Sequence, residues 1–334
     1  MRYRSRIFLL CSVVLAAMYG YGEQAAGQAN DQKPKDQELG RQESSPEKHS
    51  AEELPRFNAS STLVLIPVSV TDASNRFVLG LQKQDFHILE DGVEQTVVNL
   101  SGEDTPLSVG LVFDRSGSMS YKLQTSRDAL AQFLKTMNAQ DEAFLIDFSD
   151  QAEVAAGFTN HPEDIESKLE SVQPGGLTAL LDAVDMALHE MKKAKNPRKA
   201  ILIISDGGDN NSRYTSGEIQ SLVREADVQI YAMGVFEPSI FIGMTPEEIS
   251  GPRLLAEIAE QTGGRAFSAE ISSDLPSVAA RIGIELRNQY VLAYSPKNRD
   301  KDGKYRHVEV KVSPPHGLSA LKAHWRLGYY APTQ

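Results

Sequence analysis

Residues 109–113 form an uninterrupted apolar run that stops at Asp114 and gives way to a loop of small hydroxyl residues, in which Ser116 and Ser118 flank Gly117. A strand with one wet face alternates polar and apolar side chains. A run without alternation belongs to a strand buried on both faces, which predicts the central strand of a parallel α/β sheet. Sheets of that kind bind ligands at the carboxyl ends of their strands. The stretch 107–120 therefore limits both the fold and the place where function is to be sought.

The spacing Asp114-x-Ser116-x-Ser118 puts one carboxylate and two hydroxyls into a single tight turn. Oxygen donors at short range suit a hard divalent cation, Mg²⁺, Mn²⁺ or Ca²⁺, rather than zinc or copper. Taken alone, the same serines are also what caps a helix. Two further segments add oxygen donors. A Gly-Gly-x-Thr turn at 175–178 opens a helix and presents Thr178, and a second buried-type strand at 201–204 ends in Ser205-Asp206-Gly207-Gly208, which presents Asp206.

This set, in this order and at these separations, resembles the metal-ion-dependent adhesion site (MIDAS) of von Willebrand factor type A (vWA) domains. The resemblance spans about residues 106–287. It implies a site made of Asp114, Ser116, Ser118, Thr178 and Asp206, with both serines as direct ligands and Thr178 direct or through water. Asp114 and Asp206 would act largely through water, leaving a coordination position for a carboxylate of a partner protein. The implied function is adhesion or protein interaction, with no catalysis. Arg115 departs from the pattern as a cation beside a cation site, and is expected to help hold the incoming carboxylate.

Around this stretch the chain alternates strands and helices, which predicts a doubly wound, mostly parallel sheet. Apolar residues at Leu123, Leu130, Phe133, Leu134 and Met137 predict an amphipathic helix over 121–137. Strands follow at 143–148, 154–158, 201–205, 228–235 and 266–268. The second follows the first too closely for a crossover helix and should be its antiparallel partner at the sheet edge. Helices are expected from about 162 to 172, 178 to 193, 216 to 226 and 252 to 262. The segment 237–251, with Ile240, Phe241, Ile242 and Met244, is expected to be a long apolar loop beside the metal, either packed on itself or reading a partner.

Flanking this body are β-rich pieces at 58–104 and 289–334. Each carries about three strands, too few to stand alone, so the two are expected to meet as one β-sandwich-like module around the domain at 105–288. Asp91-Gly92 is expected to be a hairpin turn before a strand at 95–100, and Asp300-Lys301-Asp302-Gly303 a plain hairpin turn between strands at 289–294 and 305–312. The phrases Asp85-Phe86 with Glu90-Asp91-Gly92, Asn288 through Leu292, and Gly328-Tyr329-Tyr330 resemble an exported vWA-related family typified in acidobacteria.

Arg2, Arg4 and Arg6 precede an apolar run at 7–18 and then small residues, the layout of a signal peptide over 1–27. A polar linker is expected over 28–57, where large apolar residues are almost missing. The expected location is periplasmic or secreted, with a membrane attachment only through an uncleaved signal anchor. Cys11, the one cysteine of the 334 residues, lies in that leader, so the mature fold relies on its core and any metal rather than on disulfides. Cysteine-free export of this kind reads as bacterial.

The formal net charge of -11 argues against a nucleic-acid partner. An enzymatic alternative, a metal-dependent or serine hydrolase, finds no G-x-S-x-G elbow, no H-E-x-x-H and no P-loop, and His161, His189, His307 and His324 sit on no base motif. A third reading, a structural scaffold with a non-functional metal site, would not need all five oxygen-bearing residues.

Overall fold

The first described strands are β1 (Val64–Thr71), β2 (Phe86–Glu90), β3 (Val93–Gln95) and β4 (Val97–Ser101). They are followed by β5 (Leu107–Asp114), α1 (Leu123–Leu134), β6 (Glu142–Phe148), β7 (Ala152–Thr159), α2 (Pro162–Ser171), α3 (Leu180–Glu190), β8 (Arg198–Ser205), α4 (Ser216–Glu225), β9 (Gln229–Phe236), α5 (Pro246–Glu260), β10 (Ala266–Glu270) and α6 (Leu275–Arg287). The last are β11 (Tyr290–Tyr294), β12 (Tyr305–Val312), β13 (Lys322–Trp325) and β14 (Gly328–Tyr330). This computed structural model describes residues 63–102, 105–236, 245–270, 274–313 and 321–333. The expected signal peptide, the polar linker and the loop residues Ile240, Phe241, Ile242 and Met244 lie outside the described residues.

The apolar run does become the middle of a sheet. Six strands lie in the order β10-β9-β8-β5-β6-β7, all parallel except β7, which returns antiparallel on β6. Every residue of β5 is buried because both faces are covered. Leu107, Val109, Leu111 and Phe113 face a core shared with α1, α2 and α6. Val112 faces a second core, with α3, α4 and α5. Within α1, Leu123, Leu130, Phe133 and Leu134 are buried, each contributing about 1.5–3 kcal/mol. Gly110 interrupts the run for a steric reason: a Cβ there would stand 2.5 Å from Phe144 Cζ.

Strand order reverses at β5. The chain leaves it through α1 to β6 on one side, whereas β8 joins its other side after α3. The crevice at such a switch point, outside the carboxyl ends of the strands, is where doubly wound sheets place ligands. Asp114 ends β5 and Asp206 follows β8, so both carboxylates arrive there.

The flanking pieces pair with each other. One sheet has the order β13-β1-β11-β4 and the other β14-β12-β2-β3, so both contain strands from before and after the α/β body, alternating in the first and meeting at β12 and β2 in the second. Ile66, Val68, Ile88, Leu292 and Tyr294 pack between them in a third core. The β2–β3 turn has Asp91 and Gly92 at φ 47° and 80°, the left-handed pair a two-residue hairpin requires. Two expectations fail here. Residues 95–100 divide between β3 and β4 in different sheets, and the turn at Asp302-Gly303 joins β11 to β12 across the sandwich instead of closing a hairpin.

Other boundaries move for local reasons. The helix expected from Pro252 starts at Pro246, because Thr245 and Glu248 form a reciprocal cap: Thr245 N donates to Glu248 Oε2 at 2.8 Å and Glu248 N to Thr245 Oγ1 at 3.3 Å. Pro252 is left inside α5, and the expected loop 237–251 gives up its last six residues to helix. α6 has no counterpart in the strand-and-helix expectations above. Met137 lies beyond the end of α1, and Phe77 makes only an isolated bridge to Thr71. Among the described residues no helix is long and apolar enough to cross a membrane.

Candidate functional site

Three loops meet at the switch point, laced together through their backbones. Gly117 N donates to Gly176 O at 3.0 Å and Gly175 N to Arg115 O at 2.8 Å, while Asn210 N and Asn211 N both donate to Thr178 O at 3.0 Å. These bonds join the turns that carry Ser116 and Ser118, Thr178, and Asp206. Gly175 and Gly176 have φ of 155° and 85°, and a Cβ on Gly176 would meet Asp150 Oδ2 at 2.5 Å. Asp150 instead accepts from Leu177 N at 2.9 Å, which fixes the turn just before Thr178.

The five expected residues come to this one place, four of them buried. Asp114 Oδ1 accepts from Ser116 N at 2.8 Å and Oδ2 from Ser205 Oγ at 2.6 Å. Ser116 Oγ lies 3.1 Å from Ser118 Oγ. Asp206 Oδ1 accepts from Gly208 N at 3.3 Å, and Thr178 N donates to Asn210 Oδ1 at 2.9 Å. Asp114, Ser116, Thr178 and Asp206 are buried. Burial, and then the negative charge of Asp206, push the Asp114 carboxyl up to about 7 from 3.8, against the hydrogen bonds of Ser116 and Ser205. Two carboxyl groups thus share a buried place where ionising Asp114 is unfavourable until further positive charge comes near.

Among the described residues no three His, Cys, Asp or Glu side chains gather as a metal cluster; the oxygen groups that meet at the switch point are two carboxylates and hydroxyls. Such a set fits a hard, oxygen-seeking cation better than a thiophilic one.

One buried charge escaped the sequence reading. Lys122 Nζ donates to Asp206 Oδ2 at 2.9 Å, with the two side chains 5% and 4% exposed. In the sequence it is a lysine beside Tyr121 ahead of an amphipathic helix, where a solvated position is the default; nothing in the pattern marks it as buried. Ser205, Asp150 and Asn210 were missed as supports for the same reason, their role being contact across loops.

Arg115 does not face the site as expected. Its Nε donates to Asp147 Oδ1 at 2.8 Å and its guanidinium lies 3.5 Å from Glu153, so the side chain is spent on β6 and β7. Residues 209–211 are likewise committed: Asn210 to Thr178, Asn211 Nδ2 to Asp150 O at 2.7 Å, and Asp209 to Ser212 at 2.5 Å. They build the loop frame that presents the site.

α5 packs directly against this frame. Gly207 adopts φ 78°, and a Cβ there would lie 2.5 Å from Gly251 O, so two glycines let the helix backbone touch the loop next to Asp206.

Known proteins resemble parts of this chain. The family profile of the von Willebrand factor type A domain matches residues 109–208. An uncharacterized protein of Borreliella burgdorferi is 22% identical over 165 residues, 45% of this chain and 48% of that protein. Inter-alpha-trypsin inhibitor heavy chain H4 of Sus scrofa is 30% identical over 132 residues, 36% of this chain and 14% of that protein. The chain thus spans about half the length of the first relative and a small part of the second. A solved structure of proximal thread matrix protein 1 from the mussel byssus, with a zinc-occupied MIDAS motif, aligns with a TM-score of 0.45 and 21% identity over 58% of this chain and 48% of that one. The chain carries a von Willebrand factor type A domain.

Proposed function

We propose that the protein is an exported protein-binding module whose type A domain holds a divalent cation, Mg²⁺ or Mn²⁺ foremost, through Asp114, Ser116, Ser118, Thr178 and Asp206. The partner contributes a carboxylate to the same cation. The observation that carries this reading is the pair of buried carboxylates at the switch point, with Asp114 pushed up to about 7 by burial and by Asp206. With the Lys122 ammonium 2.9 Å from Asp206, the two carboxylates carry one uncompensated negative charge, and a divalent cation held there is left wanting one further anionic oxygen.

The surroundings favour recognition over catalysis. Ser116 and Ser118 hydroxyls face each other, whereas His87, His161 and His189 pair with Glu94, Glu163 and Asp185. Exposed apolar side chains rim the loops: Tyr121 at 60%, Leu177 at 49% and Ile249 at 57% exposure. Leu177 precedes Thr178, and Ile249 follows Glu248, whose Cγ would lie 3.7 Å from a Cβ on Gly208. A metal–carboxylate bond alone gives little specificity, and such a rim suits a partner whose acidic side chain is flanked by apolar ones.

In this reading residues 1–27 are a cleaved signal peptide and 28–57 a tether, residues 105–288 form the binding domain, and the pieces 58–104 and 289–334 form its sandwich base. The protein then works in the periplasm or outside the cell.

Calorimetry tests the cation. Mn²⁺ titrated into the mature chain should release or absorb heat with one site per chain, and Ser118→Ala should weaken binding on the order of tenfold or more, at least the loss seen for groups that merely support a ligand. Pull-down from secreted or periplasmic extract then tests the partner. Capture should require the cation and be lost both with chelator and with Ser118→Ala; a partner retained through both would place the binding surface elsewhere.

A further inference from the structure

We propose that Lys122 sets the charge of the cation site: its ammonium weakens cation binding and, once a divalent ion is held, leaves the site one positive charge in excess, so that it selects an anionic partner group. The inference rests on the cation reading above and goes beyond it in assigning a role to a residue outside the five donors.

Lysine is almost never fully buried unless paired, and Lys122 is buried with its Nζ 2.9 Å from Asp206 Oδ2. Its place is fixed by the chain. Lys122 N donates to Met119 O at 2.9 Å, Ser126 N donates to Lys122 O at 3.0 Å, and the Tyr121 ring centre lies 5.5 Å from Nζ. The ammonium is therefore held at the site by the 119–126 turn instead of wandering in from the surface.

The charges can be counted. Counted formally for the state that receives a cation, two carboxylates, Asp114 and Asp206, and one ammonium, Lys122, sum to minus one. A divalent cation makes the site plus one, and a single carboxylate from outside brings it to zero. Without Lys122 the cation alone would balance the two carboxylates, and an incoming carboxylate would leave a buried negative excess. Lys122 thus trades cation affinity for a preference toward an anion at the loaded site. Before loading, the same ammonium shields Asp206, so removing it should also raise the gain on cation binding. Both effects have the same sign.

The experiment uses the mature full chain as wild type, Lys122→Met, Lys122→Gln and Lys122→Arg. Mn²⁺ affinity is measured by calorimetry, melting temperature with and without Mn²⁺, and acetate binding to the Mn²⁺-loaded protein by water-proton relaxation. Lys122→Met and Lys122→Gln should bind Mn²⁺ at least tenfold more tightly, gain more melting temperature from Mn²⁺ than the wild type does, and bind acetate more weakly once loaded. Lys122→Arg should track the wild type. Unchanged or weaker Mn²⁺ affinity in both neutral variants, with the wild type binding normally, overturns the role of Lys122 and leaves the cation reading intact. Mn²⁺ heat in the neutral variants but none in the wild type overturns the cation reading for the natural chain, and with it the loaded site described here, the ammonium then standing in the cation's place. No Mn²⁺ heat in any of the four overturns the cation reading and this inference together.

Discussion

Asp114→Asn is expected to keep the fold and to lose cation affinity by at least a hundredfold. The side chain is enclosed, accepting from Ser116 N and Ser205 Oγ, and an asparagine of the same shape retains one acceptor for Ser116 N. Ser205 can turn its hydroxyl to accept from the new amide, since a hydroxyl is both donor and acceptor. What disappears is one of two negative charges. Two unit charges about 4 Å apart interact by about 4 kcal/mol at the effective dielectric near a protein surface, and twice the charge on the ion doubles the Coulomb effect, so a hundredfold is a lower bound after solvation losses.

The metal-free protein should respond in the opposite direction. The Asp114 carboxyl is raised from 3.8 to about 7 in the fold, so the folded chain holds a proton the unfolded chain gives up. The associated stability is present below about pH 4 and is lost as the pH rises through about 7. Asp114→Asn has no such loss. Without metal, its melting temperature should exceed that of the wild type at pH 8, and the gap should close toward pH 4. An Asn variant that still binds Mn²⁺ like the wild type would remove Asp114 from the site.

The unequal legibility of the chain has physical causes. β5 could be read because burial on both faces writes a run without alternation, and the convergence of the five candidate residues because hydroxyl and carboxylate types at fixed offsets follow strand ends. The pairing of β1 with β11 and of β2 with β12 was inferable from incomplete strand sets on either side of the body. Contacts that cross loops leave no period. Lys122 reads like any surface lysine until the turn at 119–126 brings it to Asp206, and Arg115 reads like a free cation until Asp147 and Glu153 claim it. α5 was misplaced because two prolines competed for the first turn. Pro252 stood nearer the apolar stripe, whereas Thr245-x-x-Glu248 carried the stronger start.

Gly263→Ala should lower the melting temperature by about 6–12 °C and leave Mn²⁺ affinity unchanged. The residue closes α5 at φ 77°, donating its N–H to Glu260 O at 3.2 Å. A Cβ there would overlap Trp325 C and Arg326 N, the backbone between β13 and β14. The adjacent contacts tie the sandwich to the amino-terminal edge of the α/β sheet: Arg326 pairs with Asp227 at 2.7 Å, and Gln289 Nε2 donates to Tyr231 OH at 3.0 Å and to Ser69 Oγ at 3.2 Å. Alanine brings two costs, about 1–2 kcal/mol for the left-handed backbone and about 1–3 kcal/mol for forcing backbones apart. Their sum near 3 kcal/mol corresponds to the stated shift at about 2–4 °C per kcal/mol for a domain of this size. Gly157→Ala is the control, since nothing lies within 4 Å of a Cβ there and alanine suits an edge strand at least as well. The proposed cation donors sit at the carboxyl ends of β5 and β8, the opposite edge of the sheet, so a Gly263 variant that melts early should still titrate with Mn²⁺ normally. Equal melting temperatures for the Gly263 and Gly157 variants would mean that the sandwich rests loosely on the sheet, and an early-melting Gly263 variant with weakened Mn²⁺ binding would mean that the two edges are coupled.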